Sequence, residues 1–143
     1  YQDQLRLRSF AADSGEKLWE KTYWPLDKQY GNAVVSDEAG QLYLVGDTGF
    51  GMDLGGGAIY ATDGTGKSLD LYVGSLDEVG SHRWSRVFGK TSTPGQWGSN
   101  DHAYSLSVDP VGNVFVVGVA GPDGINFGGG DLPAGAFVVK LAQ

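Results

Sequence analysis

Two histidines and a handful of aspartates are the residues of this 143-residue chain with chemistry to offer. Asp101 and His102 are adjacent and Tyr104 follows two positions on. A carboxylate, an imidazole and a phenol are the parts of an acid–base site; they also make an ordinary polar entry to a strand. His82 stands apart, and neither histidine belongs to a His-Glu-x-x-His pattern or brings a third ligand at metal spacing. Asp47, Asp53, Asp63 and Asp123 read as loop residues, and spacing assigns no two of them as the carboxylate pair of a glycosidase. They could gather Ca²⁺, although the EF-hand spacing with its closing Glu is absent. The expectation is no resident cofactor, with Ca²⁺ the one candidate. There is no Gly-x-Ser-x-Gly elbow and no cysteine, which removes thiolate zinc sites, disulfides and Cys nucleophiles.

Ala61-Thr-Asp-Gly-Thr-Gly-Lys-Ser68 comes close to a phosphate-binding loop. Such a loop works because a helix N-terminus stands behind it. Here Leu69-Asp-Leu-Tyr-Val follows, which reads as a strand, so the segment is expected to be a polar loop. Trp24 and Trp97 lie in connections and do not recur along the chain. A large aromatic in a loop is a natural anchor for a partner. The candidate ligand or partner residues are therefore Trp24, Asp47, Trp97, Asp101, His102 and Asp123.

These residues must be positioned by a chain that repeats itself. Gly15-Glu-Lys-Leu-Trp19 recurs as Gly80-Ser-His-Arg-Trp84, 65 positions later. Val34-Val-Ser-Asp37 with Gly40-Gln-Leu-Tyr-Leu-Val-Gly46 recurs as Leu106-Ser-Val-Asp109 with Gly112-Asn-Val-Phe-Val-Val-Gly118, 72 positions later. Met52-Asp-Leu-Gly-Gly-Gly57 recurs as Ile125-Asn-Phe-Gly-Gly-Gly130. The extra length falls in loop-like sequence while strand-like blocks keep register, as diverging repeats do. Each unit reads as four strands. Strand A surrounds Val34 or Leu106. Strand B is Leu42–Val45 or Val114–Val117, apolar runs that imply burial on both faces. Strand C is near Leu69–Leu76 or Ala136–Leu141, and strand D is Arg83–Phe88. Residues 4–10 and 17–24 supply another C–D pair. No window keeps helical periodicity, so no helix is expected.

Composition agrees. Twenty-four Gly and five Pro suit many tight turns, and 41% hydrophobic residues suffice for a core. A net charge of −7 excludes a general nucleic-acid surface, which needs excess Lys and Arg. No stretch is apolar for the length of a membrane span, so no membrane insertion is expected. Tyr1 opens the chain in place of Met, and no charged-then-apolar signal segment is present, which fits a processed product or a piece of a longer chain.

Four-stranded repeats with a Gly and a Trp at fixed places point to β-propeller blades. Leu76-Asp-Glu-Val-Gly-Ser-His-Arg-Trp84 resembles the Leu-Asp-x-x-Gly-x-x-x-Trp turn of bacterial β-propeller repeats from large secreted or surface-associated proteins. Phe137-Val-Val-Lys-Leu141, the hairpin Tyr104–Asn113 and the two Gly-Gly-Gly elements resemble the same repeat in the same order. The first copy departs from it, with Ala11-Ala-Asp-Ser-Gly15 at the turn.

The expected fold is all-β: strands C–D of one blade in residues 1–24, a complete blade in 30–88, and strands A–B–C of the next in 102–143, about two blades of a larger propeller or assembly. Gly15, Trp19, Gly80 and Trp84 are then structural. Trp19 also loosely matches a quinoprotein docking motif, but the Asp-to-Gly spacing is too short. The resemblance implies a non-catalytic module of an exported bacterial protein, outside the cell, on its surface or in the periplasm. It would bind a protein or a glycan through loops at the blade ends, or neighbouring blades or copies of itself. The alternative is a fragment of a propeller enzyme, quinoprotein-like dehydrogenase or glycan-acting hydrolase, whose catalytic groups lie elsewhere.

Overall fold

The computed structural model describes residues 4–23, 26, 28–62, 66–91 and 99–142. Trp24, Asp63 and Trp97 lie outside the described residues. The rest form thirteen strands: β1 (Leu5–Phe10), β2 (Lys17–Tyr23), β3 (Gln29–Ser36), β4 (Leu42–Thr48), β5 (Gly51–Met52), β6 (Ile59–Tyr60), β7 (Asp70–Leu76), β8 (His82–Phe88), β9 (His102–Val108), β10 (Val114–Ala120), β11 (Ile125–Asn126), β12 (Asp131–Leu132) and β13 (Gly135–Leu141). All pairings are antiparallel and no described residue is helical. The hairpin β1–β2 comes first, then a four-stranded sheet β3-β4-β7-β8, then a three-stranded sheet β9-β10-β13. The all-β expectation is met. Strands B run three residues further than expected, to Thr48 and Ala120, because Gly46 and Gly118 stay within the ladders.

One turn chemistry makes the hairpins. Asp37, Asp77 and Asp109 each close a turn in which their own carbonyl accepts from Gly40, Gly80 or Gly112 N–H, at 2.9–3.1 Å. Their Oδ1 also accepts two further N–H groups, for Asp77 from Val79 (3.0 Å) and Ser81 (2.7 Å). Gly80 has φ +79°, a left-handed conformation that costs a residue with a Cβ. Sequence spacing and turn geometry are thus one fact: Asp caps the turn and Gly three positions on supplies its reversed φ. The first copy differs as its sequence does. Gly15 N–H bonds Ala11 O and Ala11 N–H bonds Glu16 O, both at 2.8 Å, a loop one residue longer.

Strand register matches the internal repeat. Ser9 faces Trp19 and Ser75 faces Trp84. Asn32 is skipped between Gly31 and Ala33 in the β3–β4 ladder, and Tyr104 between Ala103 and Ser105 in β9–β10. Both are bulges, 72 positions apart. Gly46 and Gly118 are equivalent too. A side chain at either would strike the aromatic ring across the ladder, Tyr72 or Phe137.

The middle sheet is buried on both faces. On one, Tyr43, Val45, Leu71, Val73 and Phe88 pack against Ala103, Leu106, Val114, Val116 and Phe137 of the third sheet. On the other, Leu44, Tyr72 and Leu76 meet Leu5, Leu7 and Tyr23 of the hairpin. Each fully buried Val or Leu here contributes about 1.5–3 kcal/mol. The Gly-Gly-Gly elements act as wedges between sheets. Met52 and Leu54 fill the hairpin side, and Phe127 sits 5.1 Å from both Phe88 and Phe137. Asp53 Oδ1 holds that loop by accepting from Gly55 (2.7 Å) and Gly57 (3.1 Å). The short hairpins β5–β6 and β11–β12 carry these wedges; the sequence alone reads them as plain loops.

One burial expectation needs correction. β4 is enclosed on both faces, but in Val114–Val117 only Val114 and Val116 are fully buried, and Val117 is 40% exposed. No described sheet covers the outward face of the third sheet.

Candidate functional site

Asp47 is read from sequence as a loop residue, but it lies in β4, opposite Tyr30, and is only 4% exposed. The end of β4 reaches the start of β9, and this brings four of the candidate residues to one junction. Asp47 Oδ1 accepts from Ala103 N–H (3.1 Å), and its Oδ2 accepts from Asn32 Nδ2 (3.0 Å) and His102 Nδ1 (2.9 Å). Asn32 Nδ2 also donates to Ala103 O (2.7 Å). The carboxylate therefore ties the middle sheet to the third. Because a carboxylate only accepts, the proton of the His102 ring is on Nδ1, and in the neutral ring Nε2 is left as an acceptor.

His102 is partly exposed and its ring lies 6.3 Å from that of Tyr104 at an interplanar angle of 11°. Tyr104 is 58% and Tyr30 44% exposed. The bulges at Asn32 and Tyr104 put these residues on the rim. Tyr30 is held through its backbone, whose carbonyl accepts from the Tyr72 hydroxyl (3.0 Å). The result is a fixed imidazole edge beside the aromatic face of Tyr104, a surface for a ligand with both apolar faces and hydroxyl groups.

Asp101 does something else. It is 1% exposed; its N–H donates to Leu69 O (2.7 Å), and its Oδ1 accepts from Gly121 N–H (2.9 Å). Its Oδ2 is buried with no hydrogen-bond partner among the described residues. Burial pushes its pKa up to about 7, with Asp70 and Asp123 adding to the rise and the Gly121 bond and His102 opposing it. A carboxyl so enclosed does not reach an external substrate. Asp123 is half-buried at the same junction, where its N–H donates to Ser99 Oγ (3.3 Å). Among the described residues no three His, Asp or Glu side chains come together as a metal-ligand set.

The remaining candidates lie elsewhere. His82 is on β8, with its ring against Gly56 and Nε2 3.0 Å from Ser85 Oγ, beside a cavity of about 420 Å³ lined by Lys21, Tyr23, Asp53 and Gly80. Strand β7 follows Ser68, so no helix stands behind the phosphate-loop-like segment. Trp19 joins the sheets: its Nε1 donates to Glu78 O (3.1 Å), and its ring lies over Gly80. Trp84 meets Tyr43 edge-on at 6.4 Å.

Sequence reasoning missed Asn32 and Asp70. Asn32 is 70 positions from His102, and the signal for it was the repeat itself, which aligns Asn32 with Tyr104. Asp70 reads as part of strand C, where alternation says nothing of its burial. No family model matches the chain, and no curated protein matches it.

Proposed function

We propose that the chain is a β-propeller repeat module of an exported bacterial protein and that it binds a glycan through the rim formed by Tyr30, Asn32, His102 and Tyr104. Three consecutive antiparallel sheets stacked face to face, with repeat-equivalent strands in the same order, support the propeller reading. The observation that carries the binding reading is His102, fixed by Asp47 and stacked beside an exposed tyrosine. Sugar rings offer C–H faces to aromatic rings and hydroxyl groups to polar edges, and a side chain already held in place loses little entropy on binding.

A glycan array probed with the whole chain tests this. Binding should occur, and Tyr104→Ala and His102→Ala should each weaken it about tenfold, the equivalent of about 1.4 kcal/mol. The unfolding midpoint of Tyr104→Ala should stay near the parent's, whereas His102→Ala, which removes one of three donors to the buried Asp47, should lower it. Absence of binding, or binding indifferent to both changes, refutes the proposal. Release of reducing sugar from a bound glycan would replace it with the hydrolase reading.

A further inference from the structure

Asn32 and His102 turn their donors inward. Asn32 Nδ2 donates to Asp47 Oδ2 (3.0 Å) and to Ala103 O (2.7 Å). Both of these oxygens only accept, so the amide nitrogen must face them, and Oδ1 of this exposed residue is turned away as an acceptor. His102 directs its Nδ1 proton to the same carboxylate oxygen (2.9 Å), and its Nε2 keeps a lone pair. Sharing one oxygen makes the two side chains neighbours. Asp47 itself is 4% exposed, so a ligand feels its charge without reaching its oxygens. Among the described residues its ion-pair partner is His102, and no lysine or arginine joins it. The rim therefore offers two fixed acceptors with a buried negative charge behind them. Beside them stands the exposed ring of Tyr104, whose face attracts cations.

We propose that this rim selects sugars that carry a protonated amine. An ammonium group has three hydrogens to donate and nothing with which to accept. It matches the lone pairs of Asn32 Oδ1 and His102 Nε2, and its charge-assisted bonds are about twice as strong as those of a hydroxyl. The Tyr104 face and the Asp47 charge attract it further. A carboxylated sugar meets the rim acceptor against acceptor and like charge against like. A neutral hydroxyl falls between the two, since it donates once and carries no charge. The net charge of −7 acts in the same sense. This selectivity rests on the glycan reading above and names the class of glycan that the same site takes.

The probes are the methyl glycosides of glucose, of glucose with an amine in place of its primary hydroxyl, and of glucuronic acid, which has a carboxylate there. They differ at that one carbon, and both the amine and the carboxylate are ionised at neutral pH. Each is titrated into the isotopically labelled whole chain in about 0.15 M salt, which screens attraction to the chain as a whole. The amino sugar should bind about fivefold more tightly than glucose, and the uronate more weakly than glucose. The resonances that shift should include those of the Asn32, His102 and Tyr104 side chains. His102→Lys keeps a donor to Asp47 and puts further donors where the acceptor stood, so it should erase the preference for the amine and favour the uronate. Tyr104→Leu, at an exposed position, should reduce the preference with the fold intact, and it serves even where His102→Lys does not fold. Equal binding of the three sugars, or tighter binding of the uronate by the parent, overturns the proposal and leaves the glycan reading standing. A preference that survives both substitutions also overturns it, because the attraction is then that of the net charge. Binding of none of the three overturns it as well, and the glycan array decides the wider reading separately.

Discussion

Gly15, Gly40 and Gly80 are three hairpin glycines with nearly the same backbone, φ +70°, +77° and +79°, in different surroundings. Replacing each with Ala imposes the same left-handed penalty of about 1–2 kcal/mol. A Cβ at Gly15 meets nothing within 4 Å, and one at Gly40 comes no closer than 3.5 Å to Glu78 Cβ. A Cβ at Gly80 lies 2.9 Å from Lys21 Cγ and 3.2 Å from Trp19 Cζ3. Trp19 would have to move, straining the contact and its bond to Glu78 O. Overpacking and a weakened hydrogen bond add about 1–3 kcal/mol. Gly15→Ala and Gly40→Ala should therefore cost about 1–2 kcal/mol, and Gly80→Ala about 2–5 kcal/mol. Urea unfolding followed by tryptophan fluorescence measures all three, provided the slope with denaturant stays constant across the set. Equal losses at the three sites would refute the claim that Gly80 is held by the preceding hairpin.

Asp101 titrates near pH 4 in the unfolded chain and about 7 when folded, so the folded state holds its proton in between. Its contribution to stability should fall as pH rises across that window, and the advantage of Asp101→Asn over the parent should grow from pH 4 to pH 8 in thermal melts; parallel curves would contradict it. Asp77 and Asp109 act in the opposite sense: hydrogen bonds from Ser81 N–H and from the Asn113 side chain hold them below the usual carboxylate range, so their stabilisation is present above about pH 4 and lost below it. Asp47→Ala leaves three donors without their acceptor at the junction, and should cost about 2–4 kcal/mol in denaturant melts; a loss under 1 kcal/mol would argue against the tie between sheets. Phe127→Ala should cost about 2–4 kcal/mol and Val138→Ala, on the outward face at 75% exposure, under about 0.5 kcal/mol. Similar losses for these two would put the wedge role in doubt.

The repeat was legible in the chain because tight turns and strand alternation are local physics. Asp37, Asp77 and Asp109, each with Gly three positions on, fix hairpins through bonds spanning five residues, so spacing alone located them. Strand B follows from its apolar run, and strands C and D from the stretches on either side of such turns. The junction was only half legible. Asp101, His102 and Asp123 stood out by type, but Asp47 reads as loop until the ladder carries β4 on through Gly46.

What the sequence determined by itself was therefore the strand order, the turn chemistry and the all-β class, all properties of contacts between near neighbours. What only the tertiary structure decided was which faces are covered and which distant groups meet. Val45 and Val117 are equivalent in the repeat, yet one is enclosed and the other open, because a third sheet lies on the first and none on the second. Asp47 and His102 meet across 55 positions, and Trp19 reaches the turn at Gly80 rather than its own at Gly15. Packing between sheets places these residues, and no local periodicity encodes it.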